Sequence, residues 1–107
     1  MKRNYQELTT HISQKTGVIV YLTAPYCNVC KSLKPKLKEL VNSQFTAIEF
    51  IEIDIEAQPE ISGQMQVFAI PTGIVYLDGK EFYRFGRNVS IQELTELIKR
   101  PYDLLTN

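Results

Sequence analysis

Six consecutive residues, Val18-Ile19-Val20-Tyr21-Leu22-Thr23, are β-branched, aliphatic or aromatic at every position. The run is far too short to cross a bilayer, which takes about 20 residues, and it lacks the alternation of a strand with one wet face. It reads as a β-strand buried on both faces, and such a strand must be covered by other elements on either side. The neighbouring sequence offers helices for that purpose. Tyr5, Leu8 and Ile12 share a helical face behind an Asn4-x-x-Glu7 cap signal, predicting a helix from Asn4 to about Gln14 that Gly17 stops. Leu33, Leu37, Leu40 and Val41 predict a second helix from Cys27 to about Val41. Pro35 lies inside it and is expected to kink it rather than end it, because the apolar stripe continues beyond.

The remaining elements follow from period and punctuation. Residues 47 to 53 predict a second strand, with Ile48, Phe50 and Ile53 on one face and Ile51 on the other. Pro59 opens a short helix whose Ile61 and Met65 point inward. Strands from Gly73 to Leu77 and Glu81 to Phe85 flank Asp78-Gly79, a dipeptide suited to a tight antiparallel turn. Ser90-Ile91-Gln92-Glu93 is a capping box, and the helix it opens is expected to end at Arg100-Pro101. Strands alternating with helices imply a parallel pair, and the hairpin makes the sheet mixed, so the expected class is α/β with about four strands. At 107 residues, without a linker-like stretch or repeat, the chain is expected to be one domain.

Twelve basic residues balance twelve acidic ones, and there is one histidine. With no basic field and no interleaved aromatic stripe, no nucleic-acid partner is expected. No membrane span is expected either. No apolar stretch follows Lys2-Arg3, so the chain is expected to be cytoplasmic, where a cysteine pair is more often reactive or metal-binding than structural.

That directs attention to Cys27-Asn28-Val29-Cys30. Cys27 stands where a buried strand gives way to a helix, and the free N–H groups and dipole of a helix N-terminus favour an anion. A cysteine so placed can have its pKa lowered from about 8.5 to between about 3.5 and 7.5. The chemistry this suggests is disulfide exchange, in which Cys27 attacks a substrate disulfide and Cys30 resolves the mixed disulfide. Three other readings compete. A purely structural disulfide closing so short a ring would contribute roughly 2 kcal/mol, less than the roughly 3 kcal/mol of a fifteen-residue loop. A zinc site wants four ligands, whereas the chain offers two thiols and His11 on another helix; a metal or iron–sulfur centre bridging two chains stays open. Lastly, both cysteines could be small core residues.

Taken in order, three features resemble the thioredoxin family over nearly the whole chain. Val18 to Lys31 is similar to that family's central strand, Ala-x-aromatic approach (Ala24-Pro25-Tyr26) and Cys-x-x-Cys-Lys. Pro35, five residues after Cys30, stands where thioredoxins carry a helix-kinking proline. Val67-Phe68-Ala69-Ile70-Pro71-Thr72, then Val75 to Lys80 and later Gly86, resemble the family's Ile-Pro-Thr loop, hairpin and close-packed glycine. The resemblance implies a thioredoxin-like fold and a cis peptide bond before Pro71, facing the cysteines. Ile70 would offer backbone groups to an extended substrate segment, and Tyr26, Asn28, Val29, Ile70 and Pro71 together would form the substrate surface. It also implies protein disulfides as substrates, no bound cofactor, and electrons from an NADPH-dependent flavoprotein reductase.

The departures matter as well. The chain has no tryptophan; Tyr26 and Thr23 stand where the family usually has two. Asn28-Val29 replaces the usual Gly-Pro. Tyr21 aligns with the buried aspartate thought to move a proton for the second cysteine, and the sequence offers no evident replacement. Tyrosine ionises near pH 10 and is a poor base near neutrality. Only 17 residues precede Val18 and they read as helix, so the family's first strand is expected to be missing. The aromatics Phe50, Tyr76, Phe82, Tyr83 and Phe85 read as packing residues, and Lys34, Lys36 and Lys38 as a solvated helix face. The expected function is thiol–disulfide exchange by a monomer with a narrow client range; the alternatives are a binding module with incidental thiols and a metal or iron–sulfur carrier bridging two chains.

Overall fold

A computed structural model describes residues 3–107. The elements run α1 (Tyr5–Ser13), β1 (Gly17–Thr23), α2 (Asn28–Gln44), β2 (Ile48–Asp54), α3 (Pro59–Gln64), β3 (Thr72–Leu77), β4 (Lys80–Phe85) and α4 (Ile91–Thr106). The four strands form one sheet in the order β2-β1-β3-β4, with β1 parallel to β2 and antiparallel to β3, and β3 antiparallel to β4. The expected α/β class, the mixed sheet and the four-strand count all hold. Among the described residues no helix is long and apolar enough to cross a membrane.

Every residue of β1 is buried, and its side chains divide by parity. Ile19 and Tyr21 join one core with Leu33, Leu37 and Leu40 of α2 and Leu94 and Ile98 of α4. Val18, Val20 and Leu22 join the other with Leu8 and Ile12 of α1 and Ile61 of α3. Each face of the strand thus has its own pair of helices, the covering that an uninterrupted apolar run requires.

Local signals account for most boundaries. The Asn4 side chain accepts the Glu7 N–H and the Glu7 carboxylate accepts the Asn4 N–H, closing a capping box at α1. Asp78 and Gly79 both take positive φ, 54° and 78°, as the twist of a two-residue hairpin turn demands. Three expectations need correction. Gly17 does not stop α1, which ends at Ser13 with Gln14 as C-cap; Gly17 opens β1, where a Cβ would crowd the Ile48 side chain at 2.8 Å. Ile53 faces the α1/α3 core rather than sharing a face with Ile48 and Phe50, as strict strand alternation dictates. Pro101 does not end α4, which continues to Thr106. The continuation is anchored by Tyr102, which is buried against Phe45, edge to face with ring centroids 4.9 Å apart, and whose hydroxyl accepts the Ala47 N–H at 2.9 Å. Those contacts outweigh the single backbone bond that a proline forfeits.

Gly73 of β3 pairs with Phe85 of β4, and the Phe85 ring occupies the space a Cβ at Gly73 would need. Gly73→Ala is therefore expected to lose about 1–3 kcal/mol in urea unfolding. Combined with Phe85→Leu it should lose distinctly less than the two single changes added together. Additive losses would show that the ring does not depend on the glycine.

Candidate active site

The C-terminal end of β1 and the start of β3 lie at the same end of the sheet, because Leu22 pairs with Thr72. Two loops leave the sheet there, one carrying residues 24–27 into α2 and the other bringing residues 65–71 into β3. Cys27 and Cys30 are joined by a disulfide with Cα atoms 5.3 Å apart. Cys27 is the N-cap of α2, not its first helical residue, and its backbone is extended at φ −89° and ψ 103°. Its Sγ accepts the Cys30 N–H at 3.1 Å, and its own N–H donates to the Ala24 carbonyl. A sulfur thus takes the place that a Ser or Asp side chain often fills at a helix start. In the reduced protein this cap and the end of a 17-residue helix both favour a negative Sγ on Cys27.

The two sulfurs are unequal. Cys27 is half-buried, whereas Cys30 is only 2% exposed and belongs to the core between the sheet and α2. The Tyr21 hydroxyl donates to the Cys30 carbonyl at 2.8 Å, tying the first turn of α2 to β1. Around the pair, Tyr26 is 66% exposed, Asn28 is exposed and Val29 is half-buried. The peptide bond between Ile70 and Pro71 is cis. Pro71 is buried, and half-buried Ile70 packs on the same core as Cys27. Three hydrogen bonds brace this loop: Arg84 donates to the Met65 and Gln66 carbonyls, and Thr72 Oγ1 donates to the Ala69 carbonyl. Arg84 was not evident from sequence, since only the hairpin register sets it opposite Ile74, close to that loop.

Other residues lie elsewhere or differ from expectation. His11 pairs with Glu49 at 2.7 Å on the α1 face of the sheet, the opposite face from Cys30. At Gly86 a Cβ would meet the Pro71 carbonyl oxygen at 3.8 Å, an ordinary contact, so this glycine is not forced by close packing. Lys34 is not merely solvated; its Nζ pairs with Glu52 at 2.6 Å. Glu52 also accepts the Thr23 hydroxyl at 3.2 Å, and together with Cys30, Lys31 and Asp54 these residues line a cleft of about 400 Å³. Sequence reasoning passed over this position of Glu52 beside Cys30. The signal was available in principle, because alternation along β2 puts residue 52 on the face of Ile48, and parallel pairing puts it beside Tyr21. Among the described residues no group of three or more His, Cys, Asp or Glu side chains is gathered to hold a metal ion.

A family model described as Thioredoxin matches residues 1–100. The chain is 33% identical over 93 residues to thioredoxin-like protein YdfQ of Bacillus subtilis, covering 87% of this chain and 82% of that protein. It is 29% identical over 94 residues to a thioredoxin of Mycobacterium tuberculosis, covering 84% and 81%. A bifunctional thioredoxin reductase/thioredoxin of Mycobacterium leprae matches at 26% identity over 91 residues, covering 81% of this chain and 20% of that longer protein. Among solved structures, oxidised mitochondrial thioredoxin 3 of Saccharomyces cerevisiae superposes with a TM-score of 0.78 at 27% identity, covering 90% of this chain and 89% of that one.

Tyr21 leads to a prediction about pH. Burial, and secondarily the charge of Glu52, push its phenol up to about 12, whereas in the unfolded chain it ionises near 10. Between those values the unfolded chain has released a proton that the folded chain keeps, so stability falls as pH rises from 10 towards 12. Tyr76, pushed up to about 12 mainly by burial, adds to the same decline. Tyr21→Phe is expected to lose about 1 kcal/mol near neutral pH with its hydrogen bond, and to show a shallower alkaline decline. Urea midpoints at about pH 7 and about pH 10.5 check both; an unchanged decline would contradict the assignment to Tyr21.

Proposed function

The chain belongs to the thioredoxin family, and from that premise we propose that Cys27 is the nucleophile and Cys30 the resolving thiol of a protein-disulfide oxidoreductase. Thioredoxins act as protein-disulfide oxidoreductases, and this chain carries the Cys-x-x-Cys disulfide on which that activity depends. The observation that carries the assignment of roles is the inequality of the two sulfurs. Cys27 is partly exposed and accepts a helix N-terminal N–H, while Cys30 is buried three residues on. An incoming disulfide can reach only the first, and the second can attack only within the mixed disulfide.

In the forward direction the Cys27 thiolate attacks a client disulfide. One client sulfur leaves as thiolate and the other becomes bonded to Cys27 Sγ. Cys30 then attacks Cys27 Sγ, releasing the second client thiolate and restoring the Cys27–Cys30 disulfide. Tyr26, Asn28, Val29, Ile70 and Pro71 form the surface against which an extended client segment lies. Its support is that both loops emerge at one end of the sheet and that Ile70 and Cys27 pack on one core. Backbone pairing with Ile70 would be a form of strand addition. An NADPH-dependent flavoprotein reductase supplies electrons in this reading, supported by the relative whose name joins thioredoxin to thioredoxin reductase. A narrow client range follows from the missing tryptophans, since exposed Tyr26 is a smaller and more polar platform and Thr23 is buried at the end of β1. A single-domain monomer in the cytoplasm completes the proposal.

Dithiothreitol-driven reduction of insulin disulfides tests it. The wild type is expected to turn over; Cys27→Ser should abolish turnover; Cys30→Ser should reduce it sharply and accumulate the mixed disulfide. An inactive wild type, under conditions where a known thioredoxin is active, would favour a docking module instead.

A further inference from the structure

Cys30 begins its step as a buried thiol and must lose a proton before it can attack. Tyr21, its nearest titratable neighbour on β1, cannot take that proton near neutrality: its hydroxyl donates to the Cys30 carbonyl, and its phenol is pushed up to about 12. The fold nevertheless puts a carboxylate in reach of the same space. Glu52 sits across from Tyr21 in the parallel pairing of β1 and β2, on the α2 face of the sheet, and lines the cleft that Cys30 also lines. Lys34, one helical turn after Cys30, holds one of its oxygens at 2.6 Å, and the Thr23 hydroxyl donates to the other at 3.2 Å. The Glu52 side chain is 37% exposed while Cys30 is 2% exposed, so of these two groups lining the cleft the carboxylate is the one open to solvent.

We propose that Glu52 exchanges the proton of the Cys30 thiol during disulfide exchange, with Lys34 as the residue that positions its carboxylate; this rests on the reading of Cys30 as the resolving thiol. In the mixed disulfide the Cys30 proton passes through solvent in the cleft to Glu52. The freed electron pair forms the bond from Cys30 Sγ to Cys27 Sγ. The bond from Cys27 to the client breaks with its pair on the client sulfur, which leaves as thiolate and takes a proton from solvent. Over both steps the client disulfide gains two electrons and the cysteine pair loses two. When a reductase later opens the disulfide, Glu52 returns a proton to Cys30. Of the other charged groups facing the cleft, Lys31 and Lys34 are cations, and Asp54, whose Oδ1 accepts the Glu56 N–H at 2.9 Å in the turn after β2, is the competing carboxylate that the test includes. His11 lies on the other face of the sheet with Glu49.

The test is single-turnover oxidation of the reduced full chain by saturating oxidised insulin from about pH 6 to about pH 9.5, for wild type, Glu52→Gln, Glu52→Asp and Asp54→Asn. Glu52→Gln is expected to slow closure of the Cys27–Cys30 disulfide about tenfold near pH 7, below the roughly hundredfold or more usual for general-base catalysis because the carboxylate is part-solvated. The rates should converge at high pH, where the thiol ionises unaided, and Glu52→Asp should recover part of the loss. Formation of the mixed disulfide in Cys30→Ser should proceed equally with and without Glu52. An unchanged or faster rate in Glu52→Gln overturns the proposal. So does a loss of equal size at every pH, which would mark a structural ion pair, or a larger loss in Asp54→Asn. Absence of any mixed disulfide in Cys30→Ser instead overturns the assignment of Cys27 and Cys30, and the proposal falls with it.

Discussion

Strand β1 has no wet side. All seven of its residues are buried, odd positions against α2 and α4 and even ones against α1 and α3, so it cannot shift register without exposing one core to water. Its C-terminal end is therefore a fixed point, and the chemistry is built on that point. Three residues after Ala24 the chain turns into α2, and the side chain at the turn is a cysteine whose sulfur caps the helix. The same rigidity carries across the sheet in both directions. Pairing with β3 puts the Ile70–Pro71 bend at the cysteine end, and pairing with β2 puts Glu52 beside Tyr21.

The first turn of α2 then separates two sulfurs that differ only in position. The first lies at the positive end of a helix dipole, where an anion is stabilised; the second lies under the helix, where burial opposes ionisation. Exchange requires that difference, because the thiolate attacks and the thiol waits. The family resemblance extends to this arrangement, but the surroundings have been altered. A tyrosine hydroxyl hydrogen-bonds the backbone at the position that resembles the family's aspartate, and Glu52 of the neighbouring strand, paired with Lys34 of α2, lines the cleft beside Cys30.

Much of this could be read from the sequence, and the reasons for the failures are specific. Uninterrupted apolar patterning identified β1, capping boxes identified the starts of α1 and α4, and Asp78-Gly79 identified the hairpin, because each signal is local. Cys27 and Cys30 were evident from spacing and their place after a strand. Pro101 misled, because the contacts that carry α4 past it come from Phe45 and Ala47, more than fifty residues away. Lys34 read as part of a solvated helix face and Glu52 drew no notice, since their proximity depends on a strand pairing and a helix crossing that no local pattern encodes. The brace from Arg84 to the loop before Pro71 was hidden for the same reason.

The central claim is that the helix start divides the two thiols into one that reacts and one that is held back. The rates at which iodoacetamide alkylates each cysteine of the reduced protein near neutral pH, resolved by peptide mass spectrometry, test it directly. Cys27 should be labelled to completion while Cys30 stays unmodified. Comparable rates at the two cysteines, or faster labelling of Cys30, would contradict the account.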